Sequence, residues 1–271
     1  MIGYVGIAVL VAFFAWWLST GVILVTVRMA DRRGKGSHVK ITILVMAILV
    51  LGLWGYRSSV NTNDIRSTYI AFFSALAIWG WIELAFLSGV ITGPNKLDAP
   101  KGLPEWERFR RAWGTVAYHE LLLFSVLIWV VSIGWGKENT VGCWTFIILY
   151  CARISAKLNL YFGVPRINIE FIPKKLMHLP SHFRQSELNQ FFPIAVTVLT
   201  FAVACWIERV FASNAMPDKV GYSLLAALST LALIEHWLMV VPLPDAKLWR
   251  WMLPAPSAIR KELNSEDVHG L

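Results

Sequence analysis

The sequence contains few charged residues for its length. Only 15% of its 271 residues are Asp, Glu, Lys or Arg, whereas an average soluble domain carries about 25%. A soluble protein of this composition would have too few charges to cover its surface, which excludes a soluble enzyme, a disordered chain and a nucleic-acid-binding domain. With 56% hydrophobic residues and a mean hydropathy of +0.56, the chain is predicted to be an all-α, polytopic membrane protein.

Cysteine and the common catalytic motifs are also scarce. The chain has three cysteines and no CxxC pair, which argues against a disulfide framework and a structural zinc site. It contains no Walker loop, no GxSxG elbow and no DxxxD box. The histidines of HLPSH (178–182) have the spacing of a di-iron box, but Pro180 would interrupt the helix needed to align them.

Long apolar runs, by contrast, are frequent. Seven of them approach the roughly 20 residues that cross a bilayer, and they predict a single domain of seven transmembrane helices over residues 1–241, followed by a cytoplasmic tail over 242–271. The seven predicted spans are Gly3–Val27, Val39–Tyr56, Ser67–Ile91, Thr115–Trp135, Gly142–Phe162, Phe191–Ala212 and Val220–Val241.

Lysine and arginine are distributed unevenly between the two sides of these spans. Eighteen of the 25 lie in segments 28–40, 92–114, 163–190 and 242–271, and five lie in the connections on the other side. Because cytoplasmic loops are enriched in Lys and Arg, we expect a periplasmic N-terminus and a cytoplasmic C-terminus. Segments 92–114 and 163–190 mix basic and apolar residues. This pattern is typical of interfacial segments that lie on the anionic leaflet, and it also follows from the positive-inside rule alone.

Seven ionisable residues lie away from the ends of the predicted spans. A charged residue costs about 3 kcal/mol at the bilayer centre. The carboxylates and cations among them lie about 8–14 Å from the cytoplasmic ends of four helices, at about 1.5 Å of rise per residue. They therefore form one polar layer in the cytoplasmic half of the bundle. The seven residues are Glu83, His119, Glu120, Arg153, Lys157, Glu235 and His236.

Arg153 and Lys157 are four residues apart and share one helix face, which Tyr150 continues. Because like charges on one face repel, we expect each cation to pair with a carboxylate from a neighbouring helix, Glu83, Glu120 or Glu235. One interpretation of the layer is an ion-pair network that fixes helix packing. The other is a polar cavity, open to the cytoplasm, that binds a ligand headgroup.

The buried histidines allow two interpretations as well. A neutral imidazole in an apolar span can ligate a metal, including the magnesium of a chlorin, and His119 is the first candidate for such a ligand, with His236 second. The alternative is that each histidine is a hydrogen-bonding packing residue.

Several sequence strings resemble a known family. They are WIELAFLSGVITGP (81–94), YHELLL (118–123), WTFIILYCARISAKLNLYFGVP (144–165) and HFRQSELNQFFP (182–193). In order and spacing they are similar to the photosynthetic complex assembly proteins of the PuhE type, from about residue 67 to 241. These strings contain most of the polar layer, and Asn159 in addition.

The resemblance implies a multi-pass protein of the bacterial inner (intracytoplasmic) membrane that accompanies the gene of the reaction-centre H subunit. It implies an accessory role in assembly of the reaction centre and its antenna, linked to bacteriochlorophyll supply. The expected partners are reaction-centre or light-harvesting subunits or pigment-synthesis enzymes, and the expected ligand is bacteriochlorophyll or a precursor. The family has no catalytic residue to carry over.

Three functional hypotheses follow. The first is an assembly or pigment-handling factor, which the resemblance favours and which is more consistent with a protein that is not an enzyme. The second is a membrane enzyme that acts on a tetrapyrrole, quinone or lipid through the polar layer. The third is a small proton-coupled transporter, against which the lack of an internal repeat argues.

Overall fold

The architecture comes from a computed structural model that describes residues 2–34, 36–169 and 172–241. Over these residues it is all-helical, apart from one isolated β-bridge between Val164 and Gln185. The predicted tail, 242–271, lies outside the described residues. The α-helices are α1 (Ile2–Arg33), α2 (Ser37–Leu44), α3 (Met46–Ser59), α4 (Ile65–Leu87), α5 (Glu105–Gly134), α6 (Val141–Phe162), α7 (Phe191–Ala212) and α8 (Met216–Leu238).

The predicted spans correspond to these helices, with different ends. The second span consists of two short helices joined at Val45, which still donates its backbone N–H to Ile41 at 2.9 Å, so α2 and α3 cross as one unit. The fourth span was predicted to begin at Thr115, but α5 begins at Glu105. Residues 105–113 are therefore the first turns of a long helix, because the charged sequence there forms ion pairs three and four residues apart, such as Arg111 with Glu107 at 2.7 Å.

Within the described ranges, six helical segments are long and apolar enough to cross a membrane, from α1, α2 with α3, α4, α5, α6 and α7. Helix α8 is the seventh predicted span, and its 23 residues include Asp218, Lys219 and Glu235. It lies in the middle of the bundle, where it contacts α1, α4, α6 and α7. A helix in this position exposes little surface to lipid and can carry more polar residues than its neighbours. Since α8 is not among the six candidate spans, the count of seven spans stays a prediction.

The two ends of the bundle differ. At one end, short connections are tied together, as when Asn139 donates its backbone N–H to the carbonyl of Val60 at 3.1 Å. At the other end, which we call the loop-rich end, the connection 88–104 and the described parts of the connection 163–190 (163–169 and 172–190) pack on the helix termini. Phe86, Leu176 and Leu179 form a small apolar cluster there, so the second loop is fixed to the end of α4.

The apolar core lies mainly toward the end with short connections. Close approach of small residues helps to build it. A side chain at Gly142 of α6 would meet the Ala71 carbonyl and the Tyr56 ring at 2.8 Å. The Tyr56 hydroxyl is buried and donates to the Val130 carbonyl at 2.7 Å, which satisfies its hydrogen bond inside the core.

Candidate functional site

Five buried or half-buried polar side chains from three helices meet near the loop-rich end. Glu83 lies in the last turn of α4, His119 and Glu120 lie on α5, and Arg153 and Lys157 lie on α6. They are five of the seven residues predicted to form the polar layer, and from here the name polar layer refers to these five residues. The sequence places them together because each helix brings its polar residues to the same depth, as the predicted spans require.

Two ion pairs connect the three helices. Arg153 donates from Nη2 to Glu83 Oε2 at 3.0 Å, and Lys157 donates from Nζ to Glu120 Oε1. The expectation that each cation pairs with a carboxylate of a neighbouring helix is confirmed. Each pair neutralises charges that would be costly to leave unpaired in an apolar environment.

His119 lies between the two ion pairs. Its side chain is completely buried, and its Nε2 lies 3.6 Å from Glu83 Oε1 and 4.0 Å from Glu120 Oε1. Neither ring nitrogen makes a hydrogen bond with a described residue. The histidine therefore lies against both carboxylates without a hydrogen bond to either, and one oxygen of each carboxylate also lacks a hydrogen-bond partner among the described residues.

Phe86 was not predicted as part of this site. Its ring centroid lies 4.4 Å from that of His119, and the Arg153 guanidinium and the Lys157 ammonium lie 5.8 and 5.4 Å from the ring. Both distances allow cation–π attraction. The available signal was its position three residues after Glu83, which places both on one face of α4.

Glu235 was predicted at the same depth as the polar layer, but it has a different bonding partner. Arg153 forms its ion pair with Glu83. Glu235 instead forms a hydrogen bond with Trp16 of α1. Because an indole N–H is a donor only, the carboxylate accepts. Trp16 was not singled out in the sequence, since nothing local to α1 indicates that it meets α8.

His236 is held by two hydrogen bonds. Its Nδ1 lies 2.8 Å from the Ala232 carbonyl and its Nε2 lies 2.9 Å from the Ser155 hydroxyl. A carbonyl can only accept, so Nδ1 carries the proton and Nε2 accepts from Ser155. Metal ligation by Nε2 would require the bond to Ser155 to break.

Asn159 lies outside the polar layer and joins α6 to α7. Its side-chain oxygen accepts from the Asn189 amide at 3.1 Å, and that amide also donates to the Gly163 carbonyl at 2.6 Å. The Asn189 oxygen in turn accepts the backbone N–H groups of Phe191 and Phe192 at the start of α7. These bonds explain Asn159 as a residue that fixes the packing of α7 on α6.

Tyr150, which was also predicted as part of the site, packs at the edge of the apolar core.

The second half of α6 is less enclosed than the first. Every residue from 152 to 158 is partly exposed, whichever way it faces, whereas most residues from 141 to 148 are buried. Arg153 keeps 33% of its side-chain surface exposed while it pairs with Glu83. The layer therefore exposes Arg153, and to a smaller extent Lys157, at its edge and encloses His119.

Two cavities are lined by residues outside the polar layer. One of about 480 Å³ is lined by Phe162, Asn189, Gln190, Phe191 and Ile194, and another of about 420 Å³ lies between the loops at the loop-rich end. Among the residues that the structure describes, no cluster of three or more His, Cys, Asp or Glu side chains has a metal-binding arrangement.

Comparison with known proteins places the chain in a family. No solved structure matches it significantly. A relative from Rhodobacter capsulatus, described as an uncharacterized 30.4 kDa protein in the puhA 5′ region, is 48% identical over 248 residues, which cover 91% of this chain and 90% of the relative. The family model described as a protein of unknown function, DUF3623, matches residues 1–260. The chain therefore belongs to the DUF3623 family.

Proposed function

We propose that the protein is a membrane-embedded accessory factor for assembly of the bacterial photosynthetic reaction centre and antenna. The observation that carries this proposal is the 48% identical relative encoded in the puhA 5′ region, a photosynthesis gene region. The resemblance of the strings at 81–94 and 144–165 to assembly proteins of the PuhE type supports it. In this proposal the protein spans the inner (intracytoplasmic) membrane seven times, with its N-terminus in the periplasm.

The proposed working part is the edge of the polar layer. The half-exposed Arg153 can donate to the keto or ester groups of bacteriochlorophyll or a precursor, or to a polar group on a partner helix from a complex subunit or a pigment-synthesis enzyme. Its pairing with Glu83 orients the guanidinium and leaves further N–H donors on its exposed side. Tyr150, one turn earlier on α6, is partly exposed and extends the same surface.

His119 remains the candidate ligand for a pigment magnesium, with a condition. Its ring nitrogens lack hydrogen bonds, unlike those of His236, but the ring is enclosed by Phe86 and the two carboxylates. A tetrapyrrole needs a pocket of several hundred Å³. Ligation by His119 therefore requires Phe86 or the loop above it to move, whereas contact with Arg153 does not.

A protein-binding scaffold is the second candidate, and the ion pairs favour it. Both layer cations are paired across helices, as expected if the charges serve only to lock α4, α5 and α6. The same pairing disfavours the enzyme alternative, because a carboxylate that is held by a cation is a weak general base.

The test is made in a phototrophic host from which the gene is deleted. We expect reaction-centre absorption in the membranes to fall and the wild-type gene to restore it. Protein purified from the host should carry tetrapyrrole at near-stoichiometric yield, and His119→Leu should lower the bound pigment with the membrane level of the protein unchanged. His236→Leu is the matched control.

Wild-type protein without pigment, together with full complex assembly by His119→Leu, would refute pigment ligation and leave the scaffold. Unchanged reaction-centre absorption in the deletion strain would refute the assembly role itself.

A further inference from the structure

Basic side chains from two separate loops line one cavity at the loop-rich end. Lys96 comes from the connection between α4 and α5, and Lys174, Lys175 and His178 come from the connection between α6 and α7. The cavity measures about 420 Å³, and Asp98 is the acidic residue in its lining. Three lysines against one carboxylate give the cavity a positive charge, and we call it the loop cavity.

The walls of the loop cavity are fixed by bonds between the two loops. Ala99 donates its backbone N–H to the Ser181 hydroxyl at 2.9 Å, and the His182 Nε2 lies 3.1 Å from the Leu97 carbonyl. The first loop is also tied to α5, since the Asn95 amide donates to the Arg111 carbonyl at 3.0 Å. These bonds hold the two loops together and so bring the exposed lysines of both loops to one cavity.

The base of the cavity rests on the apolar cluster at the end of α4. Leu176 and Leu179 are buried in that cluster on either side of the cavity residues. Lys175 passes close to Gly89, whose backbone has φ of +70°, and a side chain at Gly89 would meet the Lys175 Cβ at 2.8 Å. The glycine thus allows the lysine loop to approach the helix end.

The lining of the cavity combines basic and apolar side chains. Leu97 and Met177 line the cavity beside the exposed lysines and are themselves 70% and 58% exposed. Burial lowers the pKa of His178, the neighbouring His182 and Lys96 add to this effect, and Asp98 opposes it. His178 is therefore a neutral hydrogen-bonding partner at neutral pH, and the charge comes from the lysines.

We propose that the loop cavity is a binding site for a phosphate group, supplied by the headgroup of an anionic phospholipid. Ammonium groups bind phosphate as point charges, and juxtamembrane basic clusters recognise anionic headgroups. Free phosphate offers the same chemistry, but it would not use Leu97 and Met177. Exposed apolar side chains beside a basic cavity suit the boundary between headgroups and acyl chains.

The test uses the full-length protein in nanodiscs made from phosphatidylglycerol and phosphatidylcholine. Native mass spectrometry counts the phosphatidylglycerol retained on release. We expect wild type to retain it in preference to phosphatidylcholine. The double variant Lys96→Ala/Lys174→Ala should weaken retention about fivefold for each lysine, and Asp98→Asn should strengthen it.

The matched control is Lys101→Ala/Lys137→Ala, which removes the same charge from exposed positions outside the cavity. Equal losses in the control and in the cavity variant, with both folded by circular dichroism, would overturn the proposal, as would no loss in the cavity variant. Inorganic phosphate is the last arm. If it binds the lipid-free protein in detergent and displaces phosphatidylglycerol at equal concentration, the lipid source is wrong.

Discussion

The two halves of α6 are built in different ways. From Val141 to Ile148 the helix packs against small and aromatic residues of its neighbours, with Gly142 in contact with α4 and Tyr56. From Arg153 to Lys157 it is held by ion pairs to Glu83 and Glu120, and every side of it is partly exposed. The first half is held by close packing of side chains, and the second half is held by ion pairs.

The two halves of α6 therefore place different requirements on the sequence. Apolar packing tolerates exchange between side chains of similar volume, whereas a paired charge depends on one partner at one position. The half held by charge is also the half in which polar atoms of His119, Glu83, Glu120 and Arg153 lack hydrogen bonds to described residues. The apolar half therefore tolerates conservative exchanges, whereas the charged half depends on specific pairs and holds polar atoms that have no hydrogen-bond partner among the described residues.

The largest effect is expected where one charge of the polar layer is left without its partner. Lys157→Met leaves Glu120 buried and unpaired, which costs about 3–5 kcal/mol in a soluble core and less in a bilayer. The double variant Glu120→Leu/Lys157→Met should recover most of this loss. Equilibrium unfolding in detergent micelles measures the cycle, and additive losses in the double variant would show that the pair does not interact.

An intermediate effect is expected from overpacking the apolar half. Gly142→Ala places a methyl group 2.8 Å from the Ala71 carbonyl and the Tyr56 ring, which should cost about 1–3 kcal/mol of unfolding free energy. Gly80→Ala is the control, since its methyl group would meet only Ile23 at 3.7 Å. If the two variants unfold at the same denaturant concentration, the close packing of α6 on α4 is not as described.

A smaller effect is expected from the buried hydrogen bond of the apolar half. Tyr56→Phe removes the donor to the Val130 carbonyl and should cost about 1 kcal/mol. Tyr118→Phe, at an exposed position of α5, controls for the loss of a phenol. Equal unfolding midpoints for wild type and Tyr56→Phe would indicate that the bond contributes no net stability.

The sequence predicts the helical membrane fold and the polar layer to a useful extent. The length of an apolar run and the depth of a charged residue within it both follow from the local sequence. The sequence alone therefore assigns Glu83, Glu120, Arg153 and Lys157 to one layer. The partner of each cation could not be chosen among three carboxylates, because that choice depends on helix packing.

Contacts between distant helices were beyond sequence reasoning. Trp16 bonds to Glu235 across 219 positions, and Asn189 bonds to Asn159 from a loop read only as basic and irregular. The start of α5 at Glu105 was missed because charged residues before Thr115 resemble a loop, although Glu107 pairs with Arg110 and Arg111 along one helix.

The most direct test of a binding role for the polar half is Arg153→Lys in the phototrophic host. Lysine keeps the positive charge beside Glu83 but lacks the additional N–H donors of the guanidinium. We predict that the variant accumulates in the membrane at the wild-type level but restores several-fold less reaction-centre absorption. Full restoration of that absorption would contradict the account, because it would mean that a lock between the helices is all that Arg153 provides.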